Sequence, residues 1–560
     1  MKYHTACILA FFAASAQGFT NPSSSVASSS FSSNTNGLFV RYATSAPTET
    51  SWRDLHQFNI ALDKIAEQCS STKKPVVSKA AECEELWQTQ IKRNGEILPD
   101  TISFNTVLKA WNRCCSTLSE CQRLKATIPT DYKRSVNIFT PLDAAKHATT
   151  LLLEQKDPAV DVASYNIVID TWAKSRAAEA PEAAERVLKL MLDDNDVEAD
   201  TFSYNGVLDA WANSGREDGL DKIVQIYHHM EGLQKQGKDI QPTIRTVNAI
   251  LNAYAKVVST YSRVGNYQER QHDKIEEYSE EAYELFVETK EKADKTGESM
   301  WMPDVMTYTI LMDIYSKCGT YKATQKAENL LKELKKKFEE SKNGSLKPNF
   351  RTYTALLTAW SRTRSDESPT RVEELLDEMK ANPATQPNAR TYTSAIQCWG
   401  KSSDSQKAKR VLKLLLAMKE SHKTTGKNDV RPTIMTYNAA IDACAKCLGS
   451  REDQTEALKI SFAILKSAEA DDAVEVNSMT YSMVLHAVTK LLPSGPECSQ
   501  VASALFEKAK KGGYVDQSVV RNVRACVGPK NMQKLFEGYA DAGGLYDFDS
   551  FPNSWKRNIR

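Results

Sequence analysis

Apolar and small polar residues recur along the chain in a fixed order, as a twelve-residue phrase reading SFNTVLKAWNRC at 103–114, SYNIVIDTWAKS at 164–175, SYNGVLDAWANS at 203–214 and TYTILMDIYSKC at 307–318. Nine clear copies align on Phe104, Tyr165, Tyr204, Val247, Tyr308, Tyr353, Tyr392, Tyr437 and Tyr481. Seven residues after each stands Trp111, Trp172, Trp211, Tyr254, Tyr315, Trp360, Trp399, Cys444 or Val488. Seven residues is about two helical turns, so both sets and the apolar residues between them share one helix face. Each phrase therefore predicts an amphipathic helix.

A second helical pattern follows each phrase, as at 181–194, 370–382 and 405–421. Turns reading LPD, QPT, MPD, KPN, QPN and RPT then close the units at 98–100, 241–243, 302–304, 347–349, 386–388 and 431–433. Proline stops the outgoing helix, and the Asp, Asn or Thr after it can accept from the free N–H groups of the next. The unit is a helical hairpin that cannot bury both faces alone. Consecutive hairpins must stack, which predicts an all-α, right-handed superhelical α-solenoid of helix-turn-helix repeats. A weak copy at Leu55 to Asn59 precedes the series and a decayed one at Gln517 to Arg521 follows it. The expected units are 51–100 (degenerate), 101–161, 162–200, 201–243, 244–304, 305–349, 350–388, 389–433, 434–477 and 478–516, with a C-terminal cap and tail over 517–560.

The phrases with their Pro-Asp-type turns resemble the pentatricopeptide repeat from about residue 55 to 520, in its P-class form. Ser164-Tyr165-Asn166, Ser203-Tyr204-Asn205, Thr307-Tyr308-Thr309 and Thr436-Tyr437-Asn438 carry the match, with Asp161, Asp200, Asp304 and Thr433 before them. The tetratricopeptide repeat, usually a protein-binding scaffold, is the alternative, but its W-x2-L-G-x2-Y signature is missing from these copies.

The residue after the aromatic is always small and polar: Asn59, Asn105, Asn166, Asn205, Asn248, Thr309, Thr354, Thr393, Asn438 and Ser482. Local capping favours such residues in a first turn. It does not predict Asn, Thr or Ser just inside the helix in all ten copies. A polar row along a solenoid groove can instead read base edges, one repeat to one nucleotide. The resemblance implies that each member pairs with the last residue of its repeat, which gives Asn59 with Asp100, Asn105 with Asp161, Asn166 with Asp200, Asn205 with Thr243, Asn248 with Asp304, Thr309 with Asn349, Thr354 with Asn388, Thr393 with Thr433, Asn438 with Asn477 and Ser482 with Asp516. These pairs imply a 5′ to 3′ preference of U-U-U-pyrimidine-U-A-A-purine-C-G. Thr243 and Thr433 depart from the usual pattern.

Nine residues after the aromatic stand Arg113, Lys174, Asn213, Lys256, Lys317, Arg362, Lys401, Lys446 and Lys490, a row almost wholly basic. Cations complement a helix C-terminus. A ladder of phosphate contacts along a single strand accounts for the rest of the bias. The second residues of the units, Ile102, Ala163, Phe202, Arg245, Met306, Arg351, Arg390, Met435 and Met479, are expected to pack against base faces.

Composition narrows the picture less. With 72 Lys and Arg against 71 Asp and Glu in 560 residues, no global field announces a nucleic-acid or membrane partner. Hydrophobic residues at 41% exclude a disordered or membrane-embedded chain. Successive reading positions lie 39 to 61 residues apart, longer than the family's usual unit. The extra residues around Thr117 to Thr140 and Val258 to Asp273 are polar and are expected to form surface loops that put the register of reading in question.

The first residues set Lys2 before an apolar run and Ala14-Ser15-Ala16, followed by a Ser-rich stretch with no acid before Glu49. Residues 1–18 read as a signal peptide and 19–50 as a transit peptide. With Phe19 near the junction, this resembles the bipartite presequence of plastid proteins in algae with secondary plastids; simple secretion and a mitochondrial address are the alternatives.

No catalytic residue, cofactor or metal site is expected. A zinc deaminase needs H-x-E with P-C-x-x-C, and no His follows Asp516. Asp541, Asp547 and Asp549 are too few for a two-metal nuclease. Cys444-Ala445-Lys446-Cys447 lacks a second pair, and His147, His228 and His229 lack partner ligands. Trp555 is expected to anchor the C-terminal cap. The resemblance thus implies a monomeric, non-enzymatic, sequence-selective binder of single-stranded organellar RNA in RNA processing, stability or translation, not membrane-associated, with RNA-processing or ribosomal proteins as candidate partners.

Overall fold

Helix starts are written into the turns, and the computed structural model shows how. It describes residues 55–70, 76–92, 98–124, 138, 140–155, 158–263, 269–536, 539 and 546–558; the presequence expected at 1–50 lies outside them. Asp161, Asp200 and Asp304 are N-caps in extended conformation, each in a reciprocal capping box with the Ser or Thr three residues on. Asn349, Asn388, Thr433 and Asn477 repeat the device. Each box satisfies backbone N–H groups that the first helical turn leaves unpaired, worth about 1 kcal/mol apiece.

The first helices are α1 (Leu55–Glu67), α3 (Thr101–Leu124), α5 (Val162–Ser175), α7 (Thr201–Ser214), α9 (Ile244–Arg263), α11 (Val305–Cys318), α13 (Phe350–Arg362), α15 (Ala389–Lys401), α17 (Ile434–Ala445), α19 (Ser478–Leu491) and α21 (Gln517–Cys526). Between them run the second helices α2 (Val76–Lys92), α4 (Pro141–Glu154), α6 (Ala180–Asp193), α8 (Asp218–Lys235), α10 (Glu269–Thr296), α12 (Tyr321–Ser341), α14 (Ser368–Lys380), α16 (Lys407–Thr425), α18 (Arg451–Glu469) and α20 (Pro496–Gly512). Short α22 (Pro529–Leu535) and α23 (Asn553–Lys556) end the chain. First helices stack on first helices and touch the second helices on either side. The result is an all-α solenoid whose first helices make a continuous layer.

The phrase aromatics bind the layers. Trp111, Trp211 and Trp360 donate their indole N–H to Glu84, Glu185 and Glu328 of the preceding second helix at 2.8, 2.9 and 2.9 Å. Tyr165, Tyr308 and Tyr437 donate to Asp194, Glu333 and Asp471 at 3.1, 2.9 and 3.1 Å, each on or just past the second helix of its own hairpin. One ring thus fixes a first helix backward along the stack and another fixes it sideways.

The two long units differ from expectation. Thr117 to Leu124 continues α3, and Val258 to Arg263 continues α9, where the polar composition predicts loops. Leu118, Cys121 and Val258 are buried, and the Thr117 hydroxyl donates to Cys69 O at 2.8 Å, so these added turns pack as helix rather than bulge as loop. Across the extra residues the stacking is kept: Asn105 still meets Asp161 and Asn248 still meets Asp304.

Close approach of α7 to α5 depends on Gly206, where a Cβ would lie 2.7 Å from Ile169 Cγ2. Gly206→Val should therefore lower stability by about 1–3 kcal/mol through overpacking. Urea unfolding checks this; an unchanged midpoint would show that the helices separate freely.

The tail seals the last hairpin. Trp555 is buried against Phe506 at 6.0 Å with Lys510 Nζ 4.7 Å over its ring, and its carbonyl accepts from Val515 N at 2.9 Å. Cys444 and Cys447 are buried, and burial pushes the Cys444 thiol up to about 12, the behaviour of a core residue.

Candidate nucleic-acid interface

Reading positions and last residues come together because the last residue of one unit caps the next first helix, which stacks on the previous one. Asn59, Asn105, Asn166 and Asn248 donate Nδ2 to Asp100, Asp161, Asp200 and Asp304 at 3.3, 3.0, 3.1 and 3.4 Å. In all four pairs the accepting atom is Oδ1, the oxygen that also takes the backbone N–H and hydroxyl of the capping-box Ser or Thr. One carboxylate oxygen, Oδ1, thus gathers the bonds that join the cap to both helices.

Charge on two of these acids is secured locally. Burial pushes the Asp100 and Asp161 carboxyls up, but hydrogen bonds from Ser103 and Asn59, and from Asn105 and Ser164, outweigh it and hold both below the usual range. An ionised carboxylate only accepts, so it favours a base edge with a ring N–H, as U (N3) and G (N1) have, over C and A, whose ring nitrogen at that place is an acceptor.

The threonine units are built differently. Thr309, Thr354 and Thr393 fold their hydroxyls back onto the carbonyls four residues earlier, at 2.7, 2.8 and 2.6 Å. Thr309 and Thr393 reach their neighbours through the capping-box hydroxyls of Thr352 and Thr436 at 3.0 and 2.8 Å. Asn205 is linked in the same indirect way, its Oδ1 accepting from Thr246 at 2.9 Å.

Asn205, Thr309 and Thr393 thus meet the capping-box residue rather than their expected partners Thr243, Asn349 and Thr433, and among the described residues Thr354 with Asn388, Asn438 with Asn477, and Ser482 with Asp516 show neither a direct side-chain hydrogen bond nor this indirect one. Ser482 instead receives Nδ2 of Asn522 at 3.0 Å. Asn522 lies six residues past the N-cap Asp516, in the copy too decayed for its phrase to be aligned, so the sequence offers no signal for it.

Beside the polar row runs an apolar one. Ile102, Phe202, Met306, Met435 and Met479 are 49% to 68% exposed, each three residues before a reading position and so on the same helix face. Arg245, Arg351 and Arg390 occupy the same register and are also exposed. Large apolar side chains held out of the core at one repeating position, next to polar ones, form a surface suited to flat, part-polar ligands.

The basic row is partly occupied. Lys317, Arg362 and Lys401 donate to the carbonyls of Ala255, Ser316 and Ser361 in the preceding first helix, at 3.1, 3.2 and 2.6 Å, and Asn213 does so to Ala173 at 3.1 Å. Lys174, Lys317 and Lys446 also pair with Asp170, Asp313 and Asp442 one turn back at 2.6, 2.6 and 2.5 Å. Arg113 lies 3.9 Å from Asp63, and Lys490 is exposed. Among the described residues no group of three or more His, Cys, Asp or Glu is placed to hold a metal, and no helix is long and apolar enough to cross a membrane.

Residues 186–257, 337–402 and 374–447 match the model of the pentatricopeptide repeat domain. No curated protein matches the chain. Among solved structures, the pentatricopeptide repeat protein PPR10 from maize is similar at 18% identity over 84% of this chain and 65% of that one, with a TM-score of 0.39. PPR10 in complex with an 18-nt psaJ RNA element is similar at 16% identity over 85% and 71%, with a TM-score of 0.28. The chain spans just under two thirds of the first of these.

Proposed function

The chain belongs to the pentatricopeptide repeat family, and from that premise we propose that its first-helix face binds single-stranded RNA in a sequence-selective way, one base per repeat, without catalysing a reaction on it. The observation that carries this reading is the repeated junction in which an amide at the reading position reaches the carboxylate that caps the next first helix. The junction survives both long units, which supports a continuous register across them. The composition of residues 1–50 supports action in a plastid, in transcript processing, stability or translation.

Unbiased selection of RNA by the purified chain should return U-U-U and, one letter further on, U-A-A-purine-C-G, or a contiguous part of these. Recovery of no motif would sink the reading and return the face to a protein-binding role. Replacing Lys174, Lys317 and Lys446 together by alanine should weaken all RNAs alike and lower the slope of log affinity against log salt by roughly 0.7 for each phosphate no longer neutralised. An unchanged slope would leave these cations with their bonds inside the protein alone.

A further inference from the structure

We infer that the repeat carrying Asn205 is closed to a base, so that the chain reads its RNA as two runs separated by one unread nucleotide. This rests on the RNA reading above. A base lying between two neighbouring first helices needs room between the side chains that flank it, three residues before the reading positions. Two van der Waals gaps of about 3.5 Å each require about 7 Å between those flanking groups.

Between α7 and α9 the flanking groups already touch. The Arg245 guanidinium carbon lies 5.2 Å from the ring centroid of Phe202, a cation–π stack with no space for a third plane. Among the described residues no other neighbouring pair on this row stands in cation–π contact. Asp209, one turn along α7 from Asn205, has its carboxyl pushed up by burial, and the Arg245 charge opposes that shift.

The polar half of the same junction is also altered. Asn205 is 3% exposed, and its Oδ1 accepts from the Thr246 hydroxyl. Its partner position holds Thr243, whose side chain offers no carboxylate. Stacking and reading are thus both missing from one junction, while Asn166 with Asp200 before it and Asn248 with Asp304 after it keep the direct bond.

The test measures Kd for the full chain and single-stranded 5′-UUUCUAAACG-3′ by fluorescence anisotropy. Replacing the fourth letter by any base, or by an abasic site, should change Kd by less than about twofold. Replacing the third by G should raise it by roughly tenfold, the scale of one base–protein interaction. In the Arg245→Ala chain a base can enter against Phe202, and the abasic site at the fourth letter should then cost roughly fivefold or more. Equal costs at the third and fourth letters in the unaltered chain would overturn the inference while leaving the RNA reading standing. A fourth letter that stays blind in Arg245→Ala would also overturn it. Indifference at both letters would sink the RNA reading itself.

Discussion

Replacing Glu328 with alanine should destabilise the stack around α12 to α14 by about 3–5 kcal/mol, the range for removing one partner of a buried charge pair. Its side chain, 8% exposed, accepts from the Trp360 indole at 2.9 Å and from Arg371 at 2.7 Å, and so joins three helices in consecutive positions. Without it a buried indole N–H and a largely covered guanidinium are left without their shared acceptor. Glu328→Gln keeps an acceptor for Trp360 but loses the charge, and should cost less. Burial raises the Glu328 carboxyl, yet the bonds from Arg371 and Trp360 outweigh it, so the folded-state value is lowered. A lowered acid contributes stability above its unfolded value and loses it as pH falls through the folded one. The gap between the unaltered chain and Glu328→Ala should therefore narrow below about pH 4. Denaturant unfolding at two pH values, with hydrogen exchange read over 321–380, checks both points; a pH-independent gap would show that packing rather than charge holds this junction.

Much of the architecture is legible because it repeats. Tyr165 and Trp172 lie seven residues apart, which fixes a helix face, and Pro-Asp turns mark both a helix end and the cap of the next helix. The pairing of Asn105 with Asp161 is available only through a family resemblance, since 56 residues separate them and the contact exists because first helices stack. Polar composition misleads at Thr117 to Leu124 and Val258 to Arg263. There Ser, Thr and charged residues cover the outside of helical turns whose inner side is Leu118, Cys121 and Val258. The Phe202 to Arg245 stack is hidden for another reason: each residue is recognisable singly, and their contact depends on the spacing of α7 from α9.

On the proposed reading Asp161, Asp200 and Asp304 would each cap a helix through Oδ1 and also face the base, which would explain why the last residue of a unit is so restricted. Asp, Asn and Thr all cap a helix. Among the acceptors used here, a carboxylate caps with one oxygen and still offers a full charge to a ligand with the other. The fold therefore tolerates exchange among these residues while the ligand does not, and reading can change without loss of the scaffold.

Asn166→Thr beside an unaltered Asp200 is the exchange that isolates this principle. The amide of Asn166 donates to Asp200 at 3.1 Å and fills the junction between α5 and α7. A threonine there should fold its hydroxyl back onto Val162 O, as Thr309 does onto Val305 O at 2.7 Å, and vacate space for a two-ring base. Asp200 keeps its Oδ1 on the Ser203 N–H and hydroxyl, so α7 remains capped and its carboxylate still demands an N–H on the base edge. Among purines G carries a ring N–H at N1, where A carries an acceptor. The third letter of the selected RNA should shift from U to G, with each preference moving by roughly tenfold, on the scale of about 1–3 kcal/mol per base. The other letters should stay as they were, and thermal stability should fall by less than about 1 kcal/mol, because the change is a polar exchange at a half-buried position in a helix that keeps its own cap. Selection that still returns U at that letter would show that Asn166 serves only to steady Asp200, and a uniform loss across all letters would show that the junction holds the stack rather than the base.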